Sequence, residues 1–306
     1  MTQRLGRCIG DQKGHVKLAL DRTPRRSQSA VMLGLRLGTI LRDIAAVAVV
    51  GAFMFPLFWW VLTSFKPSGE SFDIDALAWN FKPTLDNYAV TIFGQGPGVF
   101  DSRKSILDTT IVSLTASLIT VLIALPGAYA FSQLTFRYRQ NFLYAILFQR
   151  FIPPIALIFP LLMAYHSVGM LDSKIGVALA HAALNLPFAI LLLKSFFDDI
   201  PREVREAAKI DGATEFQIFL RICVPLIKGG IAATAILAFI FSWIEFMLAL
   251  FLTFNVRLLP VQAAIVASSI WGIAASLTTA ALIPAFIFLM LAQKHLVRGM
   301  TMGLYK

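Results

Sequence analysis

The chain alternates between apolar stretches of about twenty residues and short charged intervals, and those stretches have the length a helix needs to cross a bilayer core. They predict membrane-spanning helices at Ile40–Ser64, Ile106–Phe131, Asn141–Tyr165, Ile175–Phe196, Gly229–Thr253 and Gly272–Ala292. The apolar text from Leu259 to Ala292 exceeds one crossing, so Leu259–Ser269 reads as a separate interfacial or re-entrant piece, which must pack against protein or water. Between the fourth and fifth runs the pattern changes to PREVREAAKIDGATEFQIFLRICVP, from Pro201 to Pro225. Pro201 suits a first helical turn, where its missing N–H costs nothing. Glu203 and Glu206 sit near the positive end of that helix. Gly212 supplies a left-handed residue to end it. Thr214 and Gln217 have the spacing of a capping box that starts a second helix, which carries Phe216, Phe219, Leu220 and Cys223 on an apolar face and ends near Pro225. Two readings fit this pair: a hairpin lying on lipid, or an arm held at the membrane face for another protein to grip.

Composition excludes a soluble domain. With 58% hydrophobic and 14% charged residues among 306, there is too little polar surface to cover a globule. The basic residues set an orientation. Residues 1–42 carry nine Lys/Arg against two Asp, the turn after the second span carries Arg137 and Arg139, and the tail carries Lys294, Arg298 and Lys306. Six crossings place all three on the cytoplasmic side, together with both termini and the Pro201–Pro225 segment. The Lys66–Asp108 loop, with four basic and six acidic residues, falls outside. The net charge of +10 then reflects attraction to anionic membrane lipid. No basic helix interleaved with stacking aromatics exists outside the spans, so nucleic acid is not an expected partner. Residues 1–39 are polar and lack a signal-peptide core, and read as a disordered cytoplasmic leader, with Met32 as an alternative start. Residues 40–306 form one transmembrane domain. Cys8 and Cys223 both fall on the cytoplasmic side, where disulfides are not expected.

The candidate chemistry is sparse. No phosphate-cradling GxxxxGK[ST] is present, the four histidines lack metal-ligand spacing, and no nucleophilic or paired-carboxylate constellation stands out. Neither enzymatic activity nor a cofactor is expected, so active transport would draw its energy from another subunit. Charge within a span is costly and marks an interior or aqueous surface. Glu245 lies roughly 24 Å along the fifth span and Arg150 roughly 14 Å along the third, counting 1.5 Å per residue of continuous helix. Each either lines a pathway or gate or anchors neighbouring helices; for Arg150 the anchor is favoured. His181 and Asn185 share a face of the fourth span at i,i+4. They offer hydrogen bonds to a neutral sugar or satisfy the kink at Pro187. Pro126, Pro153, Pro154 and Pro160 mark further kinks. Trp59 and Trp60 read as interface anchors.

Glu206-Ala207-Ala208, Asp211-Gly212-Ala213, Ile222 and Pro225 resemble the EAA loop of ATP-binding-cassette importer permeases. Ile152-Pro153-Pro154, Asn185-Leu186-Pro187-Phe188, Ile200-Pro201, Trp243 with Glu245-Phe246, and Leu296-Val297-Arg298-Gly299 resemble the maltose-type carbohydrate subfamily. Ile244 departs from the pattern, where Asn is common, and so does Val224, where Leu is common. The resemblance runs from about Leu41 to the C-terminus. It implies an all-α polytopic protein of the bacterial inner membrane, with six spans and a cytoplasmic coupling-helix loop between the fourth and fifth. It implies four kinds of partner: a second homologous permease, a pair of ATPase subunits, an extracytoplasmic solute-binding protein and membrane lipid. The cargo it implies is a carbohydrate, polyol or sugar derivative. ATPase coupling would fall to the EAA-loop residues just named, and the tail from Leu296, with Gly299 and Gly303 against strong helix, would reach the ATPases. Two rivals stand beside it. A six-span secondary transporter would have only Glu245 as a coupling-ion ligand. A membrane scaffold would use the Pro201–Pro225 segment for docking alone.

Overall fold

The computed structural model describes residues 25–67, 81–94, 102–267 and 271–302, with side chains described from residue 40 to residue 290. The leader up to residue 24, the stretches 68–80 and 95–101 of the predicted outer loop, and the last four residues lie outside the described residues. Among the described residues every regular element is helical. In chain order these are α1 (Arg25–Thr63), α2 (Asp86–Phe93), α3 (Ser102–Gln133), α4 (Arg139–Phe148), α5 (Pro154–Ser167), α6 (Lys174–Asp198) and α7 (Arg202–Ile210). They continue as α8 (Glu215–Leu226), α9 (Lys228–Trp243), α10 (Met247–Leu252), α11 (Leu259–Ala267) and α12 (Trp271–Met302). Among the described residues four helices are long and apolar enough to cross a membrane, and up to six crossings result if each of two sharply bent pairs counts as one.

The described residues up to 59 and those from 60 onward form two compact units. In the first, α1 is already helical from Arg25, ahead of the predicted span, and its side chains from Ile40 to Phe58 are exposed. It has no polar face to turn to water, as a helix surrounded by lipid or by membrane partners requires. The second unit is built on the contact of α3 with α6. Val112, Ala116, Thr120, Ala124 and Ala128 recur every four residues along α3 and are all fully buried. Ala178, Ala182, Ala189 and Leu193 form the matching stripe on α6. Small side chains let two backbones approach closely, which is how helices associate where lipid is as apolar as leucine.

Four of the predicted spans fall on single long helices, while the third and the fifth are broken. The third is broken between Phe151 and Pro154, where the segment Arg139–Phe151 meets α5 at 98°. Two successive prolines impose this, because the residue before each is driven from helical to extended backbone: Ile152 has ψ 118° and Pro153 ψ 134°. The fifth breaks at Ile244–Phe246, so Glu245 sits beyond the end of α9 rather than within a continuous helix. The separate piece predicted at Leu259–Ser269 is α11, as far as residue 267. It packs on α3: Leu259 N donates to Thr109 Oγ1 at 2.8 Å, and buried Ser105 donates to Gln262. Trp60 does not stand free as an interface anchor. Its indole donates to Thr278, and its ring lies edge-on to Trp271 at 5.6 Å. The tail also differs from expectation. α12 runs through Gly299 to Met302, because one glycine costs only about 1 kcal/mol and a long helix is already nucleated.

At the base of the bundle α9 presses directly against α6. A β-carbon on Gly230 would fall 2.4 Å from the Phe196 ring. Gly230→Ala is therefore expected to lower stability by about 1–3 kcal/mol, the usual cost of overpacking. Phe196→Ala in the same chain should recover part of that loss. Thermal unfolding of the detergent-solubilised single and double variants measures both effects.

Candidate coupling segment and intramembrane polar cluster

The segment from Pro201 to Leu226 folds as two helices around a left-handed glycine. α7 begins after Pro201 and ends at Asp211, and Gly212 has φ +80°. A β-carbon there would meet open space, so the cost of any other residue is backbone strain alone, about 1–2 kcal/mol. α8 starts with the predicted capping box: Thr214 Oγ1 accepts from Gln217 N, and Gln217 Oε1 accepts from Thr214 N at 2.9 Å. The middle of α8, Ile218–Cys223, is a π-helical turn. Pro225 lacks the N–H that would bond Arg221 O and would crowd that carbonyl in an ordinary helix, and the wider turn relieves both. A bend of 77° then separates α8 from α9.

The inner side of this segment is buried. Ala208, Ile218 and Cys223 join Ala124, Ala128, Leu193 and Phe197 in one apolar cluster, against which Ala213 and Ile222 pack. Burial pushes the Cys223 thiol upward from its ordinary value. The polar tie is Glu215, which bonds Lys209 Nζ at 2.5 Å, Arg205 Nη2 at 3.3 Å and the Tyr129 hydroxyl at 2.9 Å. The Lys209 bond is the main cause that holds the Glu215 carboxyl below its ordinary value; partial burial opposes it, and Tyr129 and Arg205 assist. The outer side is open. Glu206, Ala207, Asp211, Gly212 and Pro225 are exposed, with Ile210 at 86% and Phe216 at 70%. Of the predicted coupling residues, then, Ala208, Ala213 and Ile222 hold the segment down while the others face outward. Tyr129, Arg205 and Glu215 escaped the sequence reading because their partners lie on separate helices.

In the bundle interior two of the four predicted polar residues, His181 and Glu245, come together. His181, fully buried on α6, places Nδ1 2.8 Å from Ser242 Oγ and Nε2 3.1 Å from Glu245 Oε2. Glu245 also accepts from Leu248 N at 3.0 Å and Ala249 N at 3.3 Å, so its carboxylate caps the start of α10. Asn185, one turn along α6, donates to Ala238 O at 3.4 Å. The break in the fifth span thus has its exposed backbone donors answered by the nearest carboxylate, and the carboxylate has a partner in His181. A buried charge without such partners would be expensive. Leu248 also lines an apolar cavity of about 350 Å3 between α5 and α6, with Gln149 on its rim. Arg150 stands apart: it is exposed, reaches Leu184 O at 3.5 Å and lies over the Phe241 ring at 5.8 Å. Ser242 went unnoticed in the sequence, although it sits three residues before Glu245.

A second clamp joins two connecting turns. Asp172, with φ 57°, accepts from Phe254 N, Asn255 N and Val256 N at 2.9 Å each and from Asn255 Nδ2 at 2.7 Å. Three successive N–H groups form an anion-binding nest, here filled by the protein's own carboxylate.

Residues 121–302 match the family described as the binding-protein-dependent transport system inner membrane component. The chain belongs to this family. It is 31% identical over 272 residues to the sulfoquinovosyl glycerol transport system permease protein SmoH of Agrobacterium fabrum, covering 87% of this chain and 93% of the relative. It is 31% identical over 265 residues to the trehalose transport system permease protein SugB of Mycobacterium tuberculosis, covering 84% and 94%. In three dimensions it superposes with TM-score 0.66 and 20% identity on a crystal structure of a bacterial ABC transporter involved in the import of the acidic polysaccharide alginate, covering 85% of this chain and 96% of that one. As a member of the family the protein is a multi-pass permease component of an importer and not itself an enzyme. The family match takes in the segment Pro201–Leu226, the His181–Glu245 cluster and Asp172.

For this permease the Asp172 clamp predicts an acid transition. Burial pushes the carboxyl upward, but the bonds from Val256, Phe254 and Asn255 outweigh it and bring the carboxyl from 3.8 down to about 2. A depressed carboxylate stabilises fully above its ordinary value and loses that contribution as pH falls through the folded value. The 253–258 turn should therefore loosen between about pH 4 and pH 2, and Asp172→Ala should loosen it at neutral pH as well. Limited proteolysis at that turn across the pH range reads the difference.

Proposed function

We propose that this permease forms one half of a translocation pore for a carbohydrate, polyol or sugar derivative, beside a second, homologous permease. Two ATPase subunits grip the segment Glu206–Pro225 from the cytoplasm, and an extracytoplasmic solute-binding protein delivers the cargo. Both termini lie in the cytoplasm, in keeping with the basic residues at each end. The cargo class is supported by the two relatives named for sulfoquinovosyl glycerol and trehalose. The observation that carries the coupling role is the two-sidedness of the segment. Its inner face is fastened to the ends of α3 and α6, while Ile210, Phe216 and Leu220 are exposed apolar groups at the tip of a polar arm. Exposed apolar groups rimmed by charge mark a contact site. A push on that tip is passed to the spans as a rigid body, which alternating access requires.

In this reading the His181–Ser242–Glu245 cluster works as a brace behind the cavity wall. It fixes the start of α10, and Leu248 with it, in one of two arrangements, without touching cargo. Asn185 serves the same packing, and Arg150, two residues beyond α4, anchors that end of the helix to α6. Glu245→Gln should leave the complex assembled but lower uptake by about tenfold, the scale of one lost charged hydrogen bond. Uptake in proteoliposomes at unchanged rate would remove the brace from the mechanism.

The coupling role has its own test. Glu206→Ala alone removes one exposed charge and should weaken coupling modestly. Combined with Gly212→Pro, which cannot adopt φ +80°, it should bring cargo-stimulated ATP hydrolysis and uptake near background while the spans stay inserted. A cross-linker at residue 211 should capture an ATPase subunit. Normal coupling in the double variant, with no such cross-link, would sink the proposal.

A further inference from the structure

Beside the fastened face of the coupling segment is a second cavity, of about 270 Å3, whose lining is mostly polar. Ser132, Thr135, Arg139, Asp198, Arg202 and Arg205 surround it. Three guanidinium groups thus face one carboxylate, and that carboxylate is already matched: Asp198 bonds Lys194 Nζ at 2.5 Å and Ser132 Oγ at 2.6 Å. The other nearby carboxylate, Glu215, is held by Lys209, Arg205 and Tyr129. Exposed Asp199 and Glu203 are not among the lining residues. The arginines retain donors. Arg205 bonds Gln133 O at 2.7 Å through Nη1, yet its buried Nε has no partner among the described residues. Arg139 reaches only distant carbonyls, Leu134 O at 3.4 Å and Ser132 O at 3.3 Å. Arg202, exposed at the first turn of α7, has no ion pair among the described residues. The positive end of the α7 dipole opens at the same place and adds to the field.

The level of the cavity narrows the ligand. Ser132 lies in the last turn of α3 and Asp198 ends α6, and both helices are long enough to cross the bilayer. Tyr138, in the turn between Ser132 and Arg139, is an exposed amphipathic aromatic of the kind that sits among headgroups. The cavity therefore opens where the spans leave the hydrocarbon, at the depth of lipid phosphates. Basic pockets between spanning helices at this depth suit anionic headgroups, and arginine forks match phosphate oxygens. We infer that the cavity lined by Arg139, Arg202 and Arg205 is a binding site for a phosphate group, presented by an anionic phospholipid headgroup or as free phosphate. Its occupant would bridge the turn before α4 to the first turn of α7, so the stiffness of the coupling arm would depend on what fills it. The site stands on its own residues and does not depend on the cargo or on the coupling role.

The test uses the complex that co-purifies with this chain, placed in nanodiscs of phosphatidylcholine with phosphatidylglycerol. Lipid retained after re-extraction is then counted by native mass spectrometry. The natural protein should retain phosphatidylglycerol selectively. Arg202→Gln should lower that retention about fivefold, and adding Arg139→Gln about fivefold again, the effect of one basic charge each near a lipid surface. Arg202→Lys, which keeps the charge, should restore most of it. Arg137→Gln, two residues from Arg139 but not among the lining residues, should change little. A parallel arm in phosphatidylcholine alone compares thermal stability in inorganic phosphate and in chloride at equal ionic strength. Selective retention without a phosphate effect assigns the headgroup. A phosphate effect abolished by Arg202→Gln, without selective retention, assigns the free anion. If neither is seen, or if Arg137→Gln loses as much as Arg202→Gln, charge is diffuse and the site is overturned. Retention is counted without turnover, so loss of transport in a variant does not confuse it.

Discussion

In a bilayer a leucine buried between helices is scarcely better off than one facing lipid, so helices are held by shape and by hydrogen bonds. In this permease that constraint falls on the seam between α3 and α6. The four-residue recurrence of Ala116, Thr120, Ala124 and Ala128 gives α3 a flat, small-residue face, and Ala178, Ala182 and Ala189 match it from α6. The segment Pro201–Leu226 is fastened to its lower end through Phe197 and Ala128, and the polar cluster stands on its α6 side at His181. α11 packs on α3 through Thr109.

Some polar groups in the interior are satisfied within their own helix. Thr109, Thr120 and Thr234 each turn a hydroxyl back to the carbonyl four residues earlier, so they fill space as small groups without leaving a donor unpaired. Two of the groups that reach further sit where a helix is broken. Glu245 answers the N–H groups at the start of α10, and Asp172 answers those of the turn that follows it. A broken helix in lipid is tolerated only where its freed backbone finds partners in protein. These two carboxylates are those partners for the fifth span and its connection.

Much of this was legible in the residue order. Runs of twenty apolar residues located the crossings, and the capping residues Thr214 and Gln217 with Gly212 located the two short helices, because those signals are local and their partners lie within a few residues. The break at Pro153-Pro154 was readable as a kink but not as a bend of 98°, since its size depends on what α5 packs against. The break at Ile244 carried no proline or glycine at all. Nothing local announces it; the stabilisation comes from Glu245 bonding two backbone groups and His181, a residue more than sixty positions away. For the same reason Tyr129, Arg205 and Asp172 were silent, because their chemistry exists only once separate helices meet. The tail erred in the opposite sense: a local signal, Gly299, was outvoted by the length of α12.

The π-helical turn at Ile218–Cys223 bears on how such an arm is aimed. An ordinary helix advances about 100° per residue, and a π turn holds one residue more than the ordinary path needs. Losing a single residue from it would rewind α8 and swing everything ahead of it, Phe216 and Ile210 included, by about that angle against α9. The azimuth of the tip is therefore set by a count, not by the identity of the residues that form it. The same rotation would carry Ala208 and Ile218 away from the cluster on α3 and α6, so the count of residues in the turn sets together which face of the segment is buried and where its outer face points.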